Sequence, residues 1–432
     1  MAHLSVIGNH LVLTLTTFEK VAALHGDLRV PTGAVTSVEV VQQPFAYVRG
    51  FRAPGLAIPG RLLIGTWRCR AGRMFVVARR GVPAVRVRLA GWRYDELLVS
   101  DPGAAAMSQR LRSTLDPAES VFTERDIAIT GGGLRLSGTI TVPAGQGPFP
   151  GVLILPGSGD LDRDADHRRI PLGISRALAD HLAAVGFASL RYDKRGAGRS
   201  KGVFLEAGMT ENRLDAAAAW VEMGRAPEVR ADSMFLLGHS EGALHAMALA
   251  AQARPMPAGL VLLSPAAKTG EQTLAWQTRQ IAASLPRPLR RLLRVLHVDV
   301  VEKQRQAVAA IRATSTDVAR IQGRRINARW TRELLDFDPR TSLSALRMPV
   351  LAVTGTKDLQ VDPADLDTIG DVVPGPVDVV AVPDLTHLLR RDPKAASLSA
   401  YRRLIRQPVD ADTLDLITHW IARHSSGHPG TS

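Results

Sequence analysis

Two rhythms of apolar and polar positions divide the chain. From Leu4 to about Ser113, short apolar or alternating runs are separated by turn residues: LSVI, LVLTL, VTSVEVV, RLLIGTW, MFVVARR and AVRVRLA. Alternation with period two predicts antiparallel β structure, and the first twenty residues are read in the same way, as strand. The turn CRAGRM carries Gly72 between two runs and suits a hairpin, while DPGAAAMSQRLRS predicts a closing helix capped near Asp101. Residues 1–113 are therefore expected to form a small β-rich domain, strands first and a helix last. Residues 114–125 form a polar linker.

From Asp126 the rhythm changes. DIAIT and LRLSGTITVP bracket Gly131 to Gly133 and predict a leading antiparallel hairpin. After Pro150, apolar strand, loop and helix repeat, which predicts a parallel sheet covered on both faces. The expected strands are GVLILPG, ASLRYD, SMFLLGHS, GLVLLSP, VLAVTG and VDVVAVPD, with helices such as ISRALADHLAAVG and LDAAAAWVEMG between them. Residues 126–425 thus read as an α/β domain. Within it, 266–346 is far longer than an ordinary connection and is expected to be a helical lid inserted between the sixth and seventh strands. In LPRPLRRLLRVLHV, Leu289, Leu292, Leu293 and Leu296 share one helical face, with Arg290, Arg291 and Arg294 largely on the other. The tail, 426–432, is expected to be disordered.

Composition narrows the functional classes. With 45% hydrophobic and 22% charged residues in 432, the chain is globular and long enough for more than one domain. The net charge of +13 comes mostly from arginine scattered along the whole chain. No basic stretch is interleaved with aromatics that would stack bases, so nucleic-acid binding is not expected. Cys69 is the single cysteine, which excludes an internal disulfide and any metal site built on paired thiolates. The N-terminus lacks a basic leader and no run approaches the roughly 18 apolar residues of a spanning helix; the expectation is a soluble, cytoplasmic protein.

The segment SMFLLGHSEGALHAMALAAQ places Gly238, Ser240 and Gly242 in the spacing of a nucleophile elbow. There a serine sits on a tight strand-to-helix turn that leaves no room for side chains two residues to either side. A serine hydroxyl needs a base to take its proton and a carboxylate to orient that base. The order serine, acid, histidine leaves His387, His419, His424 and His428 as bases. His419 and His424 fall in the terminal helix and His428 in the tail, whereas His387 follows a strand on a short loop. His387 is the expected base. The acid is expected at Asp358, just past the strand VLAVTG, where active sites of open α/β sheets gather. Asp362 reads as a helix cap, and Asp384 as a residue that orients the His387 loop. The oxyanion requires backbone amides: Glu241 is expected to supply one and Ser158 the other, with Gly159 as the fallback. His239 occupies the variable elbow position, and His245 is expected to pack in the following helix. No histidine pair shows the i, i+4 zinc spacing with a helix-borne glutamate, so neither a metal nor a cofactor is expected.

PGSGDLDRD, RYDKRGAGRS, GHSEG, GTKD and the late His387 together resemble the serine hydrolase and aminopeptidase-like branch of the α/β-hydrolase superfamily, over roughly Arg125 to Ala422. The resemblance implies an α/β-hydrolase fold with Ser240 as nucleophile, Asp358 as acid, His387 as base and the Ser158 region as oxyanion loop. It further implies hydrolysis of a small-molecule ester, thioester or amide through an acyl-enzyme, ester first. Many relatives carry a histidine-glycine pair before the oxyanion loop where this chain has Pro156 and Gly157. An aminopeptidase-like peptidase is an alternative, with Asp160, Asp162 and Asp164 receiving an amino terminus; the blander reading is a solvated turn paired to Arg163. A second alternative is a hydrolase fold turned binding module. Asp193 and Arg195 are read as structural. The front domain, with its FRAPGLAIPG stretch, resembles bacterial pleckstrin-homology-like domains. Peripheral contact of the Arg290 helix with anionic lipid is a further reading that the sequence does not support by itself, and it says nothing of oligomeric state.

Overall fold

The computed structural model describes residues 2–7, 10–69, 72–105, 107, 108, 111, 122–167 and 170–425. The chain separates into two compact units, Met1–Ser120 and Val121–Ser432. The linker expected at 114–125 lies mostly outside the described residues, as do the Arg70–Ala71 turn, part of the helix expected after Asp101, and the tail 426–432.

The front unit is β-rich. Its strands are β1 (His3–Ile7), β2 (His10–Thr14), β3 (Leu28–Pro31), β4 (Val35–Val41), β5 (Phe51–Ile58), β6 (Leu62–Cys69), β7 (Gly72–Arg79), β8 (Ala84–Leu89) and β9 (Glu96–Ser100). They form one sheet of order β1-β2-β3 and another of order β4-β8-β9-β7-β6-β5. Leu11, Leu13, Phe75, Val77, Val85, Val87, Leu97 and Val99 meet in its core. Two expectations change here. Residues 17–20, read as strand, instead open helix α1 (Thr17–Ala23), because Thr16 and Glu19 close a capping box over its first turn. The pairing is also not wholly antiparallel: β9 slots between β8 and β7, and so runs parallel to β7.

The second unit carries β10 (Phe122–Gly131), β11 (Leu134–Pro143), β12 (Phe149–Leu155), α2 (Ile174–Ala184), β13 (Ala188–Tyr192), α3 (Met209–Arg225), β14 (Val229–His239), α4 (Glu241–Ala250) and β15 (Gly259–Leu263). An insertion follows, with α5 (Gly270–Ser284), α6 (Arg287–Val295), α7 (Val300–Arg312), β16 (Val318–Ile321), β17 (Arg324–Asn327), α8 (Ala328–Asp336) and α9 (Pro339–Leu343). The chain then returns through β18 (Val350–Gly355), α10 (Asp365–Val372), β19 (Val377–Val382), α11 (Tyr401–Leu404) and α12 (Ala411–Ser425).

The eight-stranded sheet has the order β10-β11-β13-β12-β14-β15-β18-β19. It opens with the antiparallel pairs β10/β11 and β11/β13 and is parallel from β13 onward. Its central strands are buried on both faces, which is why they read as unbroken apolar runs. In β14, Met234 and Leu236 join the core beneath α3 and α4, while Phe235 and Leu237 join the opposite core beneath α2 and α12. Successive strand residues point to opposite faces, so one strand feeds both layers.

The insertion was expected to be helical throughout. It also contains the antiparallel hairpin β16/β17, turned at Gln322 and Gly323, both with positive φ (48° and 80°). Paired positive φ values match the mirror-image turn that two-residue hairpins favour. Among the described residues no helix is long and apolar enough to cross a membrane.

Candidate functional site

Ser240 stands between the end of β14 and the start of α4, with φ 56° and ψ −118°. A non-glycine residue in that region is strained and persists only where its surroundings hold it. Here the Ser240 amide donates to the Leu263 carbonyl at 2.9 Å and the Ala243 amide donates to the Ser240 carbonyl at 2.9 Å. The flanking glycines are sterically required. A Cβ on Gly242 would fall on the Leu155 carbonyl oxygen, and one on Gly238 on the Gly242 carbonyl oxygen, both well inside contact distance.

His387 Nε2 lies 3.0 Å from Ser240 Oγ, and His387 Nδ1 lies 2.7 Å from Asp358 Oδ2. Asp358 Oδ1 accepts from the amides of Gln360 (2.7 Å) and Val361 (3.0 Å). All three of these bonds favour a charged carboxylate next to the imidazole. Burial works against that charge, but the His387 charge and hydrogen bond, helped by the two amides, hold the Asp358 carboxyl below its ordinary range. With Nδ1–H donated to Asp358, Nε2 is the acceptor for a proton from Ser240 Oγ. The arrangement can thus generate a nucleophilic serine at the carboxyl ends of parallel strands.

The loops that carry Asp358 and His387 are fastened to each other. Gly355 approaches the Leu385 carbonyl so closely that a Cβ could not fit, and the Lys357 amide donates to that same carbonyl at 3.0 Å. Buried Arg390 reaches under the His387 turn to the carbonyls of Leu388 (2.7 Å) and Gln407 (2.9 Å), and burial pulls its pKa down to about 10. His239 adds a tie from the elbow itself: its Nε2–H donates to the His387 carbonyl at 2.9 Å. Burial, reinforced by the nearby His387 charge, pushes the His239 pKa down to about 3, so the ring is neutral.

Glu241, anticipated only for its amide, also has a buried side chain. Its Oε1 accepts from Lys194 Nζ (3.2 Å), Asn212 Nδ2 (3.1 Å), His245 Nε2 (2.9 Å) and Trp330 Nε1 (3.1 Å). Burial opposes the charge, but Lys194, then His245 and Trp330, outweigh it and bring the pKa down to about 2. Lys194 Nζ also donates to the Gly157 carbonyl at 3.1 Å. The carboxylate behind the serine is thereby tied to the loop after β12, and Trp330 extends the same network to α8 of the insertion. Gly157 packs beside Ser240, with Ser158 next and exposed. Among the described residues neither the Ser158 nor the Glu241 amide has an acceptor, as oxyanion donors require.

The remaining candidates fall elsewhere. Asp362 is not the cap of α10, whose first turn begins at Ala364; its side chain accepts from the Ala364 amide and pairs with Lys268. Asp384 pairs with Lys357 and receives the Asp392 amide through its carbonyl. His419 and His424 bond within α12, and His428 lies outside the described residues. The turn of Asp160, Asp162 and Asp164 is held differently from expectation. Asp160 meets His167, Asp162 accepts the amides of Asp164 and Asp166, and Asp164 pairs with Arg191. Arg163 instead joins Asp193 and Asp126. Arg195 forms a two-pronged buried pair with Asp215, as a structural residue would.

Lys194, Asn212, Trp330, His239 and Arg390 were not singled out for these contacts. The available signal was the glutamate after the serine: a carboxylate forced inward at a helix start needs buried donors.

A doubly covered parallel sheet with a base-linked serine on a strained strand-to-helix turn defines a serine hydrolase of the α/β-hydrolase fold. The chain belongs to the family described as Serine aminopeptidase, S33, whose profile matches residues 172–394, a span that holds Ser240, Asp358 and His387. Esterase EstD of Thermotoga maritima is 26% identical over 330 residues, covering 74% of this chain and 72% of that one. Among solved structures, Est1E of Butyrivibrio proteoclasticus with ferulic acid bound is 20% identical with a TM-score of 0.47, covering 69% of this chain and 96% of that one. An esterase of Pyrococcus furiosus is 16% identical with a TM-score of 0.47, covering 71% of this chain and 94% of that one.

Proposed function

We propose that the protein hydrolyses a carboxylic ester of a small molecule through an acyl-enzyme on Ser240. The observation that carries this reading is the unbroken line from Asp358 Oδ2 through His387 to Ser240 Oγ, at 2.7 and 3.0 Å. His387 takes the Ser240 proton as Oγ attacks the ester carbonyl. The Glu241 and Ser158 amides receive the oxyanion, and Asp358 stabilises the imidazolium. His387 then protonates the departing alkoxide, and a water activated by His387 attacks the acyl-serine to release the acid and restore Ser240. No step calls for a cofactor.

The likeness to an esterase supports the choice of ester over peptide. So does the state of Asp160, Asp162 and Asp164: each is already engaged by a partner of its own loop or of β13, as in the solvated-turn reading. In this reading the insertion 266–346 shapes the acyl or leaving-group pocket. The front domain is read as pleckstrin-homology-like, on its small sheets and the closing helix that the sequence predicts, with a structural or docking role. A single cysteine supports a reducing compartment, the cytoplasm.

The test is labelling with a fluorophosphonate probe, together with turnover of nitrophenyl esters and aminoacyl nitroanilides, for the parent, Ser240→Ala and His387→Ala. The expected result is labelling and ester turnover in the parent alone. A folded parent that neither labels nor turns over any ester overturns the proposal, and faster anilide than ester cleavage moves the peptidase reading ahead.

A further inference from the structure

Among its described side chains, helix α6 is largely uncovered, with only Leu293 half-buried. Leu292, Val295 and Leu296 are 52%, 72% and 60% exposed, and Arg290, Arg291 and Arg294 are exposed as well. Among the described residues none of these arginines has a carboxylate partner. In water, an apolar strip of this kind contributes nothing to folding. Something outside the described chain has to cover it if the helix is to gain by its pattern.

That pattern is sharply divided. At 3.6 residues per turn, positions 287, 290, 291 and 294 fall in one sector of about 100°, all arginine. Positions 289, 292, 293, 295 and 296, all leucine or valine, fill a sector of about 160° on the other side. The charge is equally one-sided along the chain. From Gln272 to Val298 there is no aspartate or glutamate, and there are five arginines.

We infer that α6 docks the protein on an anionic lipid bilayer, with its leucines and valine at the acyl boundary and its guanidinium groups among the headgroup phosphates. Three features favour that occupant. The surface is a convex helix rather than a groove, which suits a deformable interface. Its apolar and cationic sectors adjoin lengthwise, as in helices that lie in the plane of a membrane surface. Arginine stems can follow the apolar layer while their heads stay at phosphate level. A second copy of this chain could cover the apolar sector, but its α6 carries no aspartate or glutamate to meet the arginines on the opposite sector, whereas an anionic bilayer engages both. This inference uses α6 alone and stands independently of which bond Ser240 cleaves.

The experiment is co-sedimentation of the full chain with vesicles of phosphatidylcholine alone or mixed with phosphatidylglycerol. It is run at about 0.1 M and about 1 M salt, where the Debye length is about 10 and 3 Å. The parent is compared with Arg290→Gln/Arg294→Gln and with Leu292→Asn/Leu296→Asn, and far-ultraviolet dichroism and a urea midpoint matching those of the parent show that each variant is folded. The parent is expected to sediment with mixed vesicles and not with phosphatidylcholine alone, and to be released by high salt. Each arginine is worth a factor of about five beside an anionic surface, so the double arginine variant loses about thirty-fold in affinity. Three results overturn the inference: no sedimentation with mixed vesicles at low salt, equal sedimentation with both vesicle types at low salt, or binding unchanged in both variants. Retention of an acidic protein by the parent, with no vesicle binding, would assign α6 to a protein partner instead.

Discussion

The indole Nε1 of Trp330 donates a hydrogen bond to Oε1 of Glu241, 3.1 Å away. Trp330 belongs to α8 of the insertion and Glu241 is the residue that follows Ser240, so the base of the insertion is attached to the start of the helix that positions the serine. A hydrogen bond to a buried charge contributes about 1.5–3 kcal/mol. Trp330→Phe keeps most of the packing and removes the donor. Its urea midpoint is expected to fall by the equivalent of about 2 kcal/mol, with a reduced kcat; an unchanged midpoint would show that the bond contributes nothing.

Lys194 supplies the charge opposite Glu241 and also holds the Gly157 carbonyl. Lys194→Met strands a buried carboxylate, which costs about 3–5 kcal/mol when one partner of such a pair is lost. Pairing it with Glu241→Gln removes the stranded charge. The double variant is expected to be more stable than the sum of the two single losses, by about 1–3 kcal/mol of coupling. Strict additivity in denaturant unfolding would mean that the two side chains do not interact.

His239 makes the fold sensitive to acid. Its folded pKa of about 3 lies below the ordinary 6.5. The unfolded chain therefore binds a proton there as pH falls through about 6.5, while the folded protein does not until about 3. Stability is full above that window and declines across it, by on the order of 4 kcal/mol. Asp166, pushed up to about 6 by burial, acts in the opposite sense between about 6 and 3.8, so the comparison must be with His239→Asn rather than with pH alone. That variant is expected to show a flatter stability profile from pH 7 toward 4. Parallel profiles for the two proteins would remove His239 from the account.

Asp358→Asn keeps the shape of the site but reverses what the residue offers to His387 Nδ1. If Asp358 holds the tautomer, kcat falls by about 10⁴-fold with the fold intact, because the imidazole then presents the wrong nitrogen to the serine. A loss below about tenfold would assign the orienting role elsewhere.

What the sequence discloses follows from how local its causes are. The strands around Leu236 and Val261 announce themselves because burial on both faces demands unbroken apolar runs, and Gly238 and Gly242 mark the elbow because backbone comes too close for a side chain. Chain order leaves four histidines, its place on a short loop after a strand picks out His387, and the structure brings that residue to Ser240 and Asp358. Helix α1 carried its own legible signal in Thr16 and Glu19, but its shortness let the neighbouring strands dominate. The hairpin at Gln322–Gly323 was hidden by charged strands, RRIN among them, that have no apolar alternation. The inward turn of the Glu241 side chain depends on Lys194, Asn212 and Trp330, which lie far from it in sequence, so no local pattern contains it. Placement of β9 beside β7 is likewise a matter of pairing, which composition of a strand does not encode.

The insertion leaves the sheet at Leu263 and comes back at Val350, on strands that are immediate neighbours with Leu260 opposite Val350 and Leu263 opposite Val353. Because these strands run parallel, its two ends lie at opposite ends of the pair, three residues along and one strand spacing across, about 11 Å apart, whatever lies between them. Closing a longer or shorter excursion between such fixed ends changes the entropy only logarithmically. The sheet works as a socket. A segment exchanged in this socket leaves Ser240, Asp358 and His387 on their own strands and loops, but it must bring a donor to the Glu241 carboxylate in place of the Trp330 indole.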